Sequence, residues 1–81
     1  MSDKSEEWYT RATETIHPRG RLKLVEEVLA SDEAPEFVKN TACRSMQSLK
    51  TYIDGGMVND TDRHRAAHHF QSLKLAFGDV K

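Results

Sequence analysis

Several things are scarce in this 81-residue sequence, and each shortage excludes something. A lone cysteine, Cys43, leaves no internal disulfide framework and suits a reducing interior. No apolar run approaches the ~18 residues of a membrane span, and the opening MSDKSEEW is too charged for a signal peptide. A cytoplasmic protein without a membrane partner is therefore expected. There is no glycine-rich phosphate loop, no G-x-S-x-G elbow and no carboxylate pair set across a cleft, so neither a catalytic residue nor a cofactor is expected, and the chain reads as a non-enzyme. A net charge of −1 argues against a generic DNA-coating protein.

What is present is helical periodicity. The stretch Pro35 to Gly56 reads as one long amphipathic helix, with Val38, Ala42, Met46, Leu49 and Ile53 on one stripe and Asn40, Arg44, Gln47 and Thr51 opposite. Pro35 suits the first helical position, Glu36 complements the helix dipole, and Gly55 and Gly56 supply a left-handed cap. Upstream, either Asp3 with Glu6 or Ser5 alone caps a first helix whose Trp8, Tyr9, Ala12 and Ile16 share a face and pin it to the long helix; His17-Pro18 ends it. A second helix runs from Arg19 to about Ala30 with Leu22, Leu24, Val25, Val28 and Leu29 over a wide apolar arc. Asn59 or Asp60 caps a last helix to about Phe77, closed by Gly78, with Ala66, Phe70, Leu73 and Phe77 as its stripe. The predicted fold is all-α, a small four-helix bundle in one domain, residues 1–81. Helices three and four form a long antiparallel hairpin, and the two shorter N-terminal helices pack across it.

The stretch LVEEVLASDEAPEFVKNTACRSMQSL, with Asp32 in the corner, Pro35 after it, then Val38-Lys39 and Ala42, resembles a single HEAT-type helical hairpin. The resemblance covers about a third of the chain and implies antiparallel packing of helices two and three. No second copy follows, so a stacked solenoid is not expected.

Few residues suggest chemistry. His64 and His68 lie one turn apart beside His69, but the zincin glutamate is missing and Arg63 and Arg65 flank them, so no metal site is expected. Cys43 reads as a small half-buried hydrophobe. A helix-turn-helix built from helices two and three would present Asp32, Glu33 and Glu36 to phosphates, which disfavours it. His64, His68, Gln71 and Leu75 share a face about 180° from the apolar stripe, a second surface for a partner or another copy. Phe37 is similarly displaced, and lies either beneath Trp8 and helix two or on such a surface. Histidines brought together across a two-fold axis would repel once protonated.

Charge is unevenly spread. Residues 1–36 hold nine acids and five bases (−4), and residues 37–81 four acids and seven bases (+3). Helical geometry puts Lys39, Lys50, Arg63 and Lys74 on one edge of the hairpin, as candidates for binding a partner or an anion. Thr41, Ser45, Tyr52 and His69 fall on the other edge, which is expected to lie under helices one and two. By elimination the expected function is a small interaction protein, an adaptor, regulator or inhibitor of a larger protein partner of the phage or plasmid accessory kind, self-associating as a dimer. The alternative is a binder of nucleic acid or a nucleotide through the basic C-terminal hairpin.

Overall fold

A computed structural model describes residues 4–79 as four helices. α1 spans Lys4–Glu14, α2 Pro18–Ala30, α3 Glu36–Asp54 and α4 Asp60–Gly78, with no strand among the described residues. α3 and α4 form the predicted antiparallel hairpin and share the most extensive seam; α2 lies along α3 and α1 along α4. The extents of 39 × 21 × 17 Å match two layers of helices each ~10 Å thick.

Local chemistry explains the helix ends. The proline at 18 disfavours the helical region for His17, whose backbone is extended at φ −81°, ψ 134°. That conformation is also what an N-cap requires, and His17 Nδ1 accepts the Arg19 N–H at 3.2 Å. Pro18 thus takes the first helical position and α2 begins one residue before the expected Arg19. α1 stops at Glu14, so Thr15 and Ile16 form a link, and Ile16 is 80% exposed rather than part of the buried face. A Cβ at Gly20 would stand 2.9 Å from Thr15 Cγ2, so a larger residue there requires the Thr15 side chain to shift. Ser5 is inside α1 and buried, not its cap; the alternative cap, Asp3, lies outside the described residues.

Pro35 is the N-cap of α3 rather than its first helical residue, with ψ at 159° and its carbonyl accepting the Lys39 N–H at 3.0 Å. At the other end only one of the two glycines is left-handed. Gly55 has φ −80°, and Gly56 has φ +82°. The Met57 N–H reaches the Tyr52 carbonyl at 2.9 Å and the Gly56 N–H the Ile53 carbonyl at 3.0 Å, the paired bonds of a Schellman cap. Met57 itself sits at φ +60° with its side chain against the core. Asn59 caps α4, its Oδ1 accepting the Asp62 N–H at 3.0 Å. Gly78 is the last residue of α4, and Asp79 follows as the C-cap.

The core joins Trp8 and Ala12 of α1, Leu24, Val25 and Val28 of α2, Val38, Ala42, Leu49 and Tyr52 of α3, and Ala66, Phe70, Leu73, Ala76 and Phe77 of α4, with Ala34 between α2 and α3. In α3 the buried face is turned from the expected stripe: Ser45, Ser48 and Tyr52 are buried, whereas Met46 and Ile53 are half-buried. The reason is that α3 has two neighbours and its apolar stripe faces both, so α4 packs off the centre of that stripe, where the small Ser48 meets His69. Trp8 does not pin α1 to the long helix as expected. Its ring packs on Phe77 of α4, centroids 5.7 Å apart and tilted 39°.

Candidate functional site

The seam between α3 and α4 has two sides, and they differ in what covers them. On one side α1, α2 and their link close over the hairpin. A groove of about 290 Å³ remains there, where Ile16 and Pro18 of the link region face Leu49 and Tyr52 of α3 and Arg63 and Ala66 of α4. Arg21 lines it as well, its guanidinium 4.7 Å from the centre of the Phe70 ring and its Nε donating to the Thr15 carbonyl at 3.0 Å. Partial burial without a carboxylate partner lowers the pKa of Arg21 from the ordinary arginine value.

This arrangement corrects the expected division of edges. Arg63 and Tyr52, assigned to opposite edges by the helical wheel, line the same groove. Lys74 also faces α1, with its ammonium 5.6 Å from the centre of the Tyr9 ring. Arg63 is ion-paired with Asp60 at 3.3 Å, and its Nη2 lies 3.3 Å from His64 Nε2. Lys50 is exposed and Lys39 half-exposed, and the side chain of neither has a hydrogen bond or ion pair among the described residues. Glu27 of α2 is bonded to Arg11 of α1, which holds its carboxyl below the usual carboxylate range.

On the other side of the seam none of the described helices covers the hairpin. A depression of about 240 Å³ is lined there by Arg44, Gln47, Ser48 and Thr51 of α3 and Arg65 and His69 of α4. Ser48 is buried and its hydroxyl is hydrogen-bonded to His69 Nδ1, which leaves Nε2 as the ring nitrogen open to a ligand. The Thr51 hydroxyl donates to the Gln47 carbonyl at 3.0 Å, and the Gln47 amide lies 3.9 Å from Cys43 Sγ. The guanidinium groups of Arg44 and Arg65 have neither a hydrogen bond nor an ion pair among the described residues. His69, expected beneath helices one and two, lies on this open side.

The sequence does carry a signal for this second site. No carboxylate occurs between Glu36 and Asp54, nor between Asp62 and Asp79, so the acids of both long helices are confined to their ends. The charge difference between the two halves of the chain does not reveal that pattern, and helical periodicity places Arg44 only on the face opposite the apolar stripe.

His64, His68, Gln71 and Leu75 are all exposed on the face of α4 turned away from the core, with Leu75 at 57%. Phe37 is 47% exposed, which removes the reading that buries it under Trp8 and α2. The His68 and His69 rings are 5.7 Å apart. Among the described residues no three His, Cys, Asp or Glu side chains are grouped as a metal would need, and no helix is long and apolar enough to cross a membrane. Cys43 is a half-buried free thiol. Comparison with protein-family models, curated proteins and solved structures finds no match to the chain.

Proposed function

We propose that the protein is a small non-enzymatic interaction module that docks on a larger cytoplasmic protein as an adaptor, regulator or inhibitor, in the manner of phage or plasmid accessory proteins. The carrying observation is the outer face of α4, where Leu75 is 57% exposed among His64, His68 and Gln71 while the opposite face of the same helix supplies much of the core. An exposed leucine is ordinary alone; beside side chains that both donate and accept hydrogen bonds it makes a compact mixed surface of the kind interfaces use. The same face serves self-association into a dimer, which adds buried area to a domain whose core is small.

The test is a pair of measurements on wild type and Leu75→Glu. Sedimentation is expected to show a dimer at high micromolar concentration for wild type and a monomer for the variant, and capture of a specific protein from the source cell's lysate is expected to weaken with the variant. A wild-type monomer, together with capture indifferent to Leu75→Glu, refutes the use of this face.

A second reading, binding of an anionic ligand through the hairpin, is favoured by a different observation: the carboxylate-free central spans of α3 and α4 with their unpaired Arg44 and Arg65.

A further inference from the structure

We infer that the open depression between α3 and α4 binds a single phosphate monoester, held by Arg44 and Arg65 with His69 and Gln47 as additional donors. The inference rests on the anion-binding reading and gives it a place and a ligand class, with residues other than the expected Lys39, Lys50, Arg63 and Lys74.

Four features of the depression support it. All six lining residues are polar and none is acidic. The two guanidinium groups come from different helices and are not occupied, unlike Arg11 on Glu27, Arg63 on Asp60 and Arg21 on the Thr15 carbonyl. Each offers a planar fork of donors, the geometry that meets two oxygens of one phosphate. His69 is held through Nδ1 by a buried serine, so its free nitrogen is positioned rather than mobile. Thr51 is a wall and not a donor, since its hydroxyl proton is already given to Gln47.

Size and charge select among anions. The volume of about 240 Å³ lies below the ~300–1,000 Å³ of pockets that enclose a whole drug-sized molecule, so the site takes a group rather than a nucleotide. Two arginines together balance the dianion of a monoester better than the single charge of a diester. A nucleic-acid strand requires cations in a track along its backbone, whereas Arg63 and Lys74 are turned to the covered side of the hairpin.

The test is an NMR titration of the full chain at low ionic strength with inorganic phosphate, with O-phosphoserine flanked by one residue on each side, and with a short single-stranded oligothymidine. Inorganic phosphate is expected to move the backbone amides of Ser48, Arg65 and His69 saturably, and Arg44→Gln with Arg65→Gln to weaken that binding by roughly 10-fold for each guanidinium removed. Lys39→Gln with Lys50→Gln should change it less than ~2-fold, being a comparable loss of charge away from the depression. A tighter Kd for the phosphoserine peptide than for phosphate assigns the ligand to a phosphorylated protein, and equal values assign it to a free phosphorylated compound; both support the monoester site. Oligothymidine binding without a phosphate response overturns the monoester site and keeps the anion-binding reading. Silence with all three ligands overturns both. A phosphate response that survives the double arginine substitution, with the helical circular dichroism intact, overturns the assignment of residues.

Discussion

Replacing Ser45 with alanine is expected to stabilise the bundle. Ser45 lies within α3 at 0% exposure, and its hydroxyl has no hydrogen-bond partner among the described residues. An unsatisfied buried hydroxyl costs about 1–3 kcal/mol relative to a site where it is paired or absent. Alanine is also the better helix former, by up to ~0.7 kcal/mol. Against these stands the void left by one oxygen, some ~10–15 Å³, worth only about 0.3 kcal/mol at ~24 cal/mol per Å³. The net expectation is a gain of about 1–3 kcal/mol, which for a chain of this length raises Tm by roughly 4–8 °C per kcal/mol. Urea unfolding followed by circular dichroism, with an unchanged m-value, measures it directly. Ser48, one turn further on, provides the contrast. Its hydroxyl is bonded to His69, so Ser48→Ala removes a made hydrogen bond and is expected to lose about 0.5–1.5 kcal/mol. The same substitution at two buried serines of one helix should thus have opposite signs. A destabilised Ser45→Ala would refute the reasoning, because it would mean that the hydroxyl is satisfied after all.

Trp8→Ala removes the ring that joins α1 to Phe77 and is expected to cost about 3–5 kcal/mol, enough to leave a small domain largely unfolded near 37 °C by thermal melting. Gly56→Ala places a Cβ at φ +82° and should lose about 1–2 kcal/mol by denaturant titration even though the space around it is open. The Arg11–Glu27 pair contributes stability that is present above the ordinary glutamate range and disappears as pH falls through the depressed pKa of Glu27. Both side chains are well exposed, so Glu27→Gln should cost less than ~1 kcal/mol at pH 7 and progressively less as pH falls below the ordinary glutamate range, and stability measured across that range checks the sign.

The parts of the fold legible in the sequence were those set by short-range chemistry. Proline at 18, the asparagine at 59 and the glycine pair at 55 and 56 mark helix ends because each acts through its own backbone or a neighbour within three residues. What was misread depended on which neighbours each helix has. The periodicity of α3 gives one apolar stripe, but that stripe serves α2 and α4 together, and only the assembled bundle shows that Ser45 and Tyr52 go inward while Met46 and Ile53 stay half out. The same ambiguity mixed the edges of the hairpin, placing Arg63 beside Tyr52 in the groove at the link, Lys74 against Tyr9 of α1 and His69 in the open. Ile16 was assigned to a buried face because a wheel extends a helix past its true end, and α1 ends two residues earlier. The depression of Arg44 and Arg65 joins residues of two helices, and the one trace it leaves in the chain is the missing acids of their central turns.

The seams α1·α2, α2·α3 and α3·α4 join helices adjacent in the chain, whereas α1·α4 brings together residues as far apart as Trp8 and Phe77. In kinetic terms the first three close through short corners and form early, while the last must enclose nearly the whole chain before any contact is gained. Of its two seams α1 shares the smaller with α2 and the larger with α4, so α1 is expected to complete its docking last and to leave first in unfolding. Its loss would strip Phe77 of the Trp8 ring while the hairpin that carries Arg44, Arg65 and His69 keeps its own seam. The open depression is therefore expected to outlast the docking of α1.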